Sequence, residues 1–240
     1  MADKIHMNKS LAVASTVTQA DAAYAALHAE ILSCRLAPGA RIVISEVASS
    51  LGLSPGAIRE ALSRLSAERM TIATAQKGYS VADVSIEELK DLTQTRITIE
   101  QLCLRSAIEC GDVEWETSIV GAYHRLHRIP VVLEDPAVLN PAWAAAHTTF
   151  HTALASGCNS PWLLKIRAML YAQTERYRHL SVALADKGRD VDAEHEEILG
   201  ACLARNLDLA CSLIESHLAR TADIILTSPA LKARLRQMDV

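Results

Sequence analysis

Residues 35–81 read RLAPGARIVISEVASSLGLSPGAIREALSRLSAERMTIATAQKGYSV, and successive changes of period along them decide the fold. The segment just before, QADAAYAALHAEILSCRL, has apolar residues at helical spacing through Ala22, Ala26, Ile31 and Leu36. Pro38-Gly39 then stops that helix. ISEVASSLGL predicts a short second helix from Ser45 to Leu51, with Gly52 at the position after a helix where a left-handed residue is favoured. Ser54 as N-cap and Pro55 at the first helical position restart the chain as a third helix, whose Ile58, Leu62 and Leu65 line one face. Beyond Met70 the period changes to that of a strand. Ile72 and Val81 sit in β-prone runs joined across AQKGY, which predicts a small hairpin.

Two short helices joined by a tight glycine turn and followed by a hairpin describe a winged helix-turn-helix. A plain helical hairpin with solvated arginines is the alternative on pattern alone. A reading helix must be slim and polar at its leading end to enter a DNA groove about 12 Å wide. Ser54, Gly56 and Ala57 are small, and the Ser54 hydroxyl with the free amides beside it can meet a phosphate. Arg59 falls on the exposed face one turn in, and Arg64 lies further along. Lys77-Gly78 at the hairpin tip would bring a charge and bare backbone to the sugar-phosphate edge. Charge supports this reading weakly. Six Arg/Lys face three Glu between Arg35 and Lys77, whereas 16 basic residues face 21 acidic ones from Ser85 onward, for a net charge of -4 overall.

Outward from this module, residues 1–15 carry few structural signals and read as a tail. Ser85 opens the second half with the capping-box pattern SIEE, in which Glu88 is the partner residue. A long amphipathic helix to about Cys110 follows, ended by Gly111, and further helices are predicted at about 113–128, 141–156, 161–185, 190–204 and 207–226. The expected fold is therefore mostly α. It comprises a winged helix-turn-helix with a β-hairpin wing (residues 16–84) and an antiparallel bundle of about six helices (residues 85–228). A single Phe and abundant Ala and Leu agree with packed helices. The six cysteines (34, 103, 110, 158, 202, 211) form no C-x-x-C pair, which fits free thiols in a reducing compartment. No stretch reaches the roughly 18 apolar residues of a membrane span, so the expected location is cytoplasmic. In the bundle, HTTFH places His147 and His151 four residues apart on one helical face. That is either half of a metal site or two packed core histidines.

The stretch 35–81 resembles the DNA-binding domain of GntR-family bacterial transcription regulators, most specifically in REAL-x-RL and KGY-x-V. The resemblance implies that Arg59 reads guanine and that Gly78 approaches the minor groove. One departure stands out: many members carry SRTPVREAL where this chain has SPGAIREAL, with Pro55 in place of the first Arg. The resemblance therefore implies one lost base or phosphate contact and a non-standard operator preference. The bundle resembles the FCD-type ligand-sensing domain of the family's FadR branch. In that pattern FHTAL supplies His151, EHEEIL supplies His195 and IESHLAR supplies His217, while His147 stands where an Asp is usual.

Three or four neutral imidazoles or carboxylates converging from rigid helices suit a divalent transition metal. Losing the anionic ligand at position 147 shifts the expected preference from Mn²⁺ to Zn²⁺ or Ni²⁺. His124, His127 and His179 fall outside this set. Arg96, in TRITIEQL, is implied to meet an effector carboxylate, the alternative being a surface ion pair with Glu100. Tyr177 could add a hydroxyl. GDVEWE, HTTFHTALASGC and ERYR resemble the glutarate-sensing, carbon-starvation members of the branch, which implies a small dicarboxylate or hydroxy acid as effector. The expected protein is a homodimeric repressor of a palindromic double-stranded DNA operator, without catalytic residues. The competing class is a metalloenzyme, since an open metal position lined by His can activate water.

Overall fold

The computed structural model describes residues 17–32, 35–83, 85–134, 139–182 and 189–228, with the side chains of residues 179–182 excepted. The expected N-terminal tail and the side chain of His179 lie outside these. The first helix, α1 (Gln19–Leu32), packs Ala23, Leu27 and Ile31 onto the third helix. The second, α2 (Ile44–Leu51), ends at Gly52 with φ +64°, the left-handed conformation that the sequence calls for there. The third, α3 (Pro55–Ala67), begins as expected: the Ser54 side chain accepts from the Ala57 amide at 3.2 Å, and Pro55 occupies the first turn. Ile58, Ala61, Leu62 and Leu65 form its buried face.

The hairpin is strands β2 (Thr71–Thr74) and β3 (Gly78–Val81), antiparallel in the register Thr74↔Gly78 through Thr71↔Val81. Its tight turn needs positive φ at Gln76 (+63°) and Gly78 (+89°). A third strand, β1 (Arg41–Ile42), pairs with β3 and gives the order β1-β3-β2. Two residues are too few to show a period, so the sequence gives no sign of it.

The second half contains α4 (Ile86–Cys110), α5 (Val113–His127), α6 (Pro141–Ser156), α7 (Pro161–Val182), α8 (Val191–Leu203) and α9 (Leu207–Thr227). Each starts close to its expected bound, because each begins at a side-chain cap or a proline; the expected end of α7, at about residue 185, lies outside the described residues. Ser85, Asp112, Asn140, Asp190 and Asn206 all accept from a first-turn amide. Gly111 ends α4 for another reason than handedness, since its φ is −65°. A Cβ there would come within 2.4 Å of the Trp115 ring and 2.6 Å of the Ala107 carbonyl. Trp115 fills that space and donates from Nε1 to the carbonyls of Ala153 and Leu154 at 3.1 and 3.2 Å, tying α5 to α6. One apolar core built on Phe150, Ile119, Leu126, Ile198 and Ile214 joins these helices.

The two halves touch through α7. Ala172 packs against the core of the winged helix, Gln173 donates to the carbonyl of Glu68, and Arg176 donates to the carbonyl of Ala82 at 3.1 Å. Glu68 is the C-cap of α3, and Ala82 follows the wing strand β3. Among the described residues no helix is long and apolar enough to cross a membrane.

Candidate functional site

At the head of the molecule, Ser54, Arg59, Lys77 and Gly78 are all exposed. Arg59 stands on the side of α3 opposite the buried Ile58, Leu62 and Leu65, and Gly78 opens β3 at the hairpin turn. Arg64 is placed differently. Its guanidinium donates to Asp21 at 2.8 Å and lies over the Tyr24 ring at 4.3 Å, so it is turned back onto α1. That contact holds the Asp21 carboxyl down at about 2, chiefly through the hydrogen bond from Arg64. Tyr24 in turn donates to Glu68 at 2.7 Å.

In the bundle, α6 contributes His147 and His151, α8 contributes His195 and α9 contributes His217. All four are buried, and one ring nitrogen of each lies within 4.8 Å of the others. The Nε2 atoms of His147 and His151 are 3.1 Å apart. Burial first, and then the proximity of the other histidines and of nearby arginines, pushes His147, His151 and His195 well below the usual imidazole range. Burial also lowers His217, partly opposed by its hydrogen bond to Glu194. The set is therefore neutral at pH 7, the state in which imidazole offers a lone pair.

These residues fit a metal ion on the structure's own terms. Buried ring nitrogens normally find a hydrogen-bond partner, yet His195 Nε2 has none among the described residues. At metal–nitrogen distances of about 2.0–2.1 Å, neighbouring ligand nitrogens lie about 3 Å apart, which the His147–His151 spacing matches. The tautomers agree as well. Tyr171 donates to Thr148 at 3.1 Å and receives His147 Nδ1 at 3.2 Å, leaving His147 Nε2 bare. His217 Nδ1 lies 2.8 Å from Glu194 Oε2, turning its Nε2 away from that carboxylate. Burial would raise Glu194, but hydrogen bonds from His217, Arg189 and Arg220 outweigh it and hold the carboxyl well below its usual range.

A wall of buried cations surrounds the cluster. Arg96 makes the ion pair with Glu100 that its spacing allows, at 3.4 Å, though in the interior rather than at the surface. It also donates to Thr174 at 2.5 Å and lies over the Tyr171 ring at 4.6 Å. Arg167 donates to Glu100 at 2.6 Å and to the carbonyl of His151 at 2.6 Å. Arg178 lies over the Trp143 ring and pairs with Glu175. Tyr177 is not brought to the cluster: its hydroxyl donates to Glu88 at 2.8 Å, and its ring packs with Leu89, Ala222 and Ile225. Tyr171, two turns earlier, is the tyrosine that reaches the histidines. Its pKa is pushed up to about 12 by burial. His124 and His127 are exposed, and His127 pairs with Asp192 at 2.6 Å.

Sequence reasoning missed Arg167, Tyr171, Thr174 and Arg178, though a signal existed. They fall at i, i+4, i+7 and i+11 of α7, a polar stripe at helical spacing that is buried throughout. Glu194 carries no such signal: it directly precedes His195, and adjacent residues do not share a helical face.

Comparison with known proteins fits both halves. The model for bacterial regulatory proteins of the gntR family matches residues 19–81, and the FCD domain model matches residues 91–220. The HTH-type transcriptional regulator BphR of Paraburkholderia xenovorans is 36% identical over 225 residues, covering 91% of this chain and 92% of that one. The HTH-type transcriptional repressor GlaR of Escherichia coli is 33% identical over 214 residues, covering 88% and 96%. Among solved structures, E. coli McbR/YncC superposes with a TM-score of 0.69 at 18% identity, over 94% of this chain and 100% of that one. A putative GntR regulator from Rhodococcus sp. RHA1 gives 0.67 at 21%, over 88% and 99%. The structural likenesses concern the fold alone. The relatives are transcription regulators, which sets aside the metalloenzyme reading. With its two domains matched in order and relatives above 30% identity across most of its length, this chain belongs to the GntR family of bacterial transcription regulators and carries an FCD domain.

Proposed function

We propose that the protein is a repressor of the FadR branch whose grip on a palindromic operator is set by a small carboxylate bound beside the four histidines. The observation that carries this reading is the convergence of His147, His151, His195 and His217 within 4.8 Å, with the buried Arg96 guanidinium near enough to act on His151. His147, His151, His195 and His217 would hold one divalent ion, Zn²⁺ or Ni²⁺ by the all-imidazole donor set. Such an ion offers a carboxylate open coordination positions, while Arg96 supplies the complementary charge. A dicarboxylate of glutarate size is the leading effector class, on the sequence resemblance. Tyr177, committed to Glu88, has no part in it.

At the other end, Arg59 would read a base edge in the major groove, while Ser54, Lys77 and Gly78 would meet the backbone. Arg64, turned onto Asp21, would support α3 rather than touch DNA. One reading head per chain requires a homodimer for a palindromic site.

The test is operator binding by fluorescence anisotropy, with the chain first stripped by chelator and then reloaded with Zn²⁺. Glutarate and related small dicarboxylates should release the reloaded protein and leave the stripped protein bound. If no small carboxylate releases the reloaded protein, the sensing half of this reading is wrong.

A further inference from the structure

Glu194 hydrogen-bonds to His217 of the four histidines, and it is itself held from three sides. Its Oε2 lies 2.8 Å from His217 Nδ1. Arg189 grips it with a two-pronged contact, Nε to Oε1 at 3.0 Å and Nη2 to Oε2 at 2.7 Å, and Arg220 donates to Oε1 at 2.9 Å. Arg189 is anchored in turn to Thr221 and to the carbonyl of His217, each at 3.0 Å. The carboxylate is thus fixed to the same turns of α9 that carry His217.

We propose that Glu194 is the positioning residue that sets the tautomer and ring orientation of His217, so that Nε2 presents its lone pair to the ion. An ionised carboxylate only accepts, so Nδ1 must carry the proton. One contact competes: Arg189 Nη2 lies 3.5 Å from His217 Nδ1 and could donate to it in the opposite tautomer. Distance decides between them. The opposite tautomer would press the Nδ1 lone pair against a carboxylate oxygen at 2.8 Å and receive only a contact at the limit of hydrogen bonding. Nδ1–H is therefore the tautomer, and Nε2 is bare before any ion arrives. His147 is oriented in the same manner by the weaker Tyr171 hydroxyl, whereas His151 Nδ1 has no partner among the described residues. His217 is thus more firmly directed than His147 or His151, and the carboxylate behind it also raises its basicity.

This inference rests on the metal reading above, and its test separates the two. Zn²⁺ affinity is measured by chelator competition on the full-length protein and on Glu194→Gln, with thermal unfolding of the metal-free forms as the check on folding. The wild type should bind one equivalent, and Glu194→Gln should bind about 10–100-fold more weakly. Wild-type protein that takes no Zn²⁺ overturns the metal reading and with it the role of Glu194. Wild-type protein that binds, with Glu194→Gln binding equally well, overturns this inference alone. If the variant does not fold, the ring-nitrogen NMR spectrum of ¹⁵N-histidine-labelled metal-free wild type decides, with His217 assigned through His217→Gln. A protonated Nδ1 and bare Nε2 are expected, and a protonated Nε2 overturns the proposal.

Discussion

Arg176, on the helix that lines the histidine cluster, donates to the backbone carbonyl of Ala82 at 3.1 Å, just past the wing strand. Three residues earlier, Gln173 donates to the carbonyl of Glu68 at the end of the reading helix. The opposite stripe of α7 carries Tyr171 and Thr174, which touch His147 and Arg96. One helix therefore contacts both the histidine cluster and the winged-helix domain. Replacing Arg176 by Ala should leave operator binding without effector within a few-fold of wild type. The ratio of affinities with and without effector should fall from the range usual for allosteric coupling, about 5–150-fold, toward one. Anisotropy titrations giving an unchanged ratio would remove this contact from the coupling.

How much of this was legible in the sequence follows from which interactions are local. Ser54, Gly52, Ser85, Asn140 and Gly111 punctuate helices through neighbours a few residues away, so the element order was readable. HTTFH was visible as a face for the same reason. The partners of Arg64 and Tyr177 lie 43 and 89 residues distant, and nothing near either residue announces them. Arg96 was found but its setting was not, because the Thr174 and Tyr171 that enclose it come from another helix. The strand β1 depends wholly on pairing with β3.

The ion pair between Glu100 and Arg167 is closed at 2.6 Å in the interior, with Arg96 on the other carboxylate oxygen. Removing the shared carboxylate by Glu100→Ala leaves two buried cations without it. Breaking one partner of a buried pair costs about 3–5 kcal/mol. Urea unfolding should show a loss of that order, and a loss below about 1 kcal/mol would mean that water reaches both guanidinium groups.

The buried histidines also make the metal-free protein sensitive to acid. Their folded pKa values lie below the unfolded value of about 6.5, so the unfolded chain binds more protons as pH falls through that value. Their contribution is complete above about pH 6.5 and is lost below it, with a limiting slope of about 1.4 kcal/mol per pH unit for each histidine. Denaturation midpoints of the chelator-stripped protein should drop steeply between pH 7 and pH 5. A flat profile would mean that the cluster is hydrated and takes up protons as readily in the folded as in the unfolded chain.

On the DNA side, Arg59→Ala should weaken operator binding at least about tenfold with the fold intact, since a bidentate guanine contact is worth about 1–3 kcal/mol. Lys77→Ala should weaken binding to every sequence alike and lower the salt slope by about one. Arg64→Ala should do less than Arg59→Ala, because its guanidinium is spent on Asp21 and Tyr24. Gel-shift titrations in which Arg64→Ala is the more damaging change would reverse the assignment of the reading face.

His147, His151, His195 and His217 together make the central claim, and elemental analysis of the protein purified without chelator tests it most directly. The expected result is close to one divalent transition metal per chain, lost in His151→Ala and His217→Ala. In His147→Asp the ion should be retained with preference moved toward Mn²⁺. A wild-type protein that carries no metal, and whose melting temperature is unmoved by added Zn²⁺ or Ni²⁺, would contradict the claim and leave the four imidazoles as the lining of a metal-free pocket.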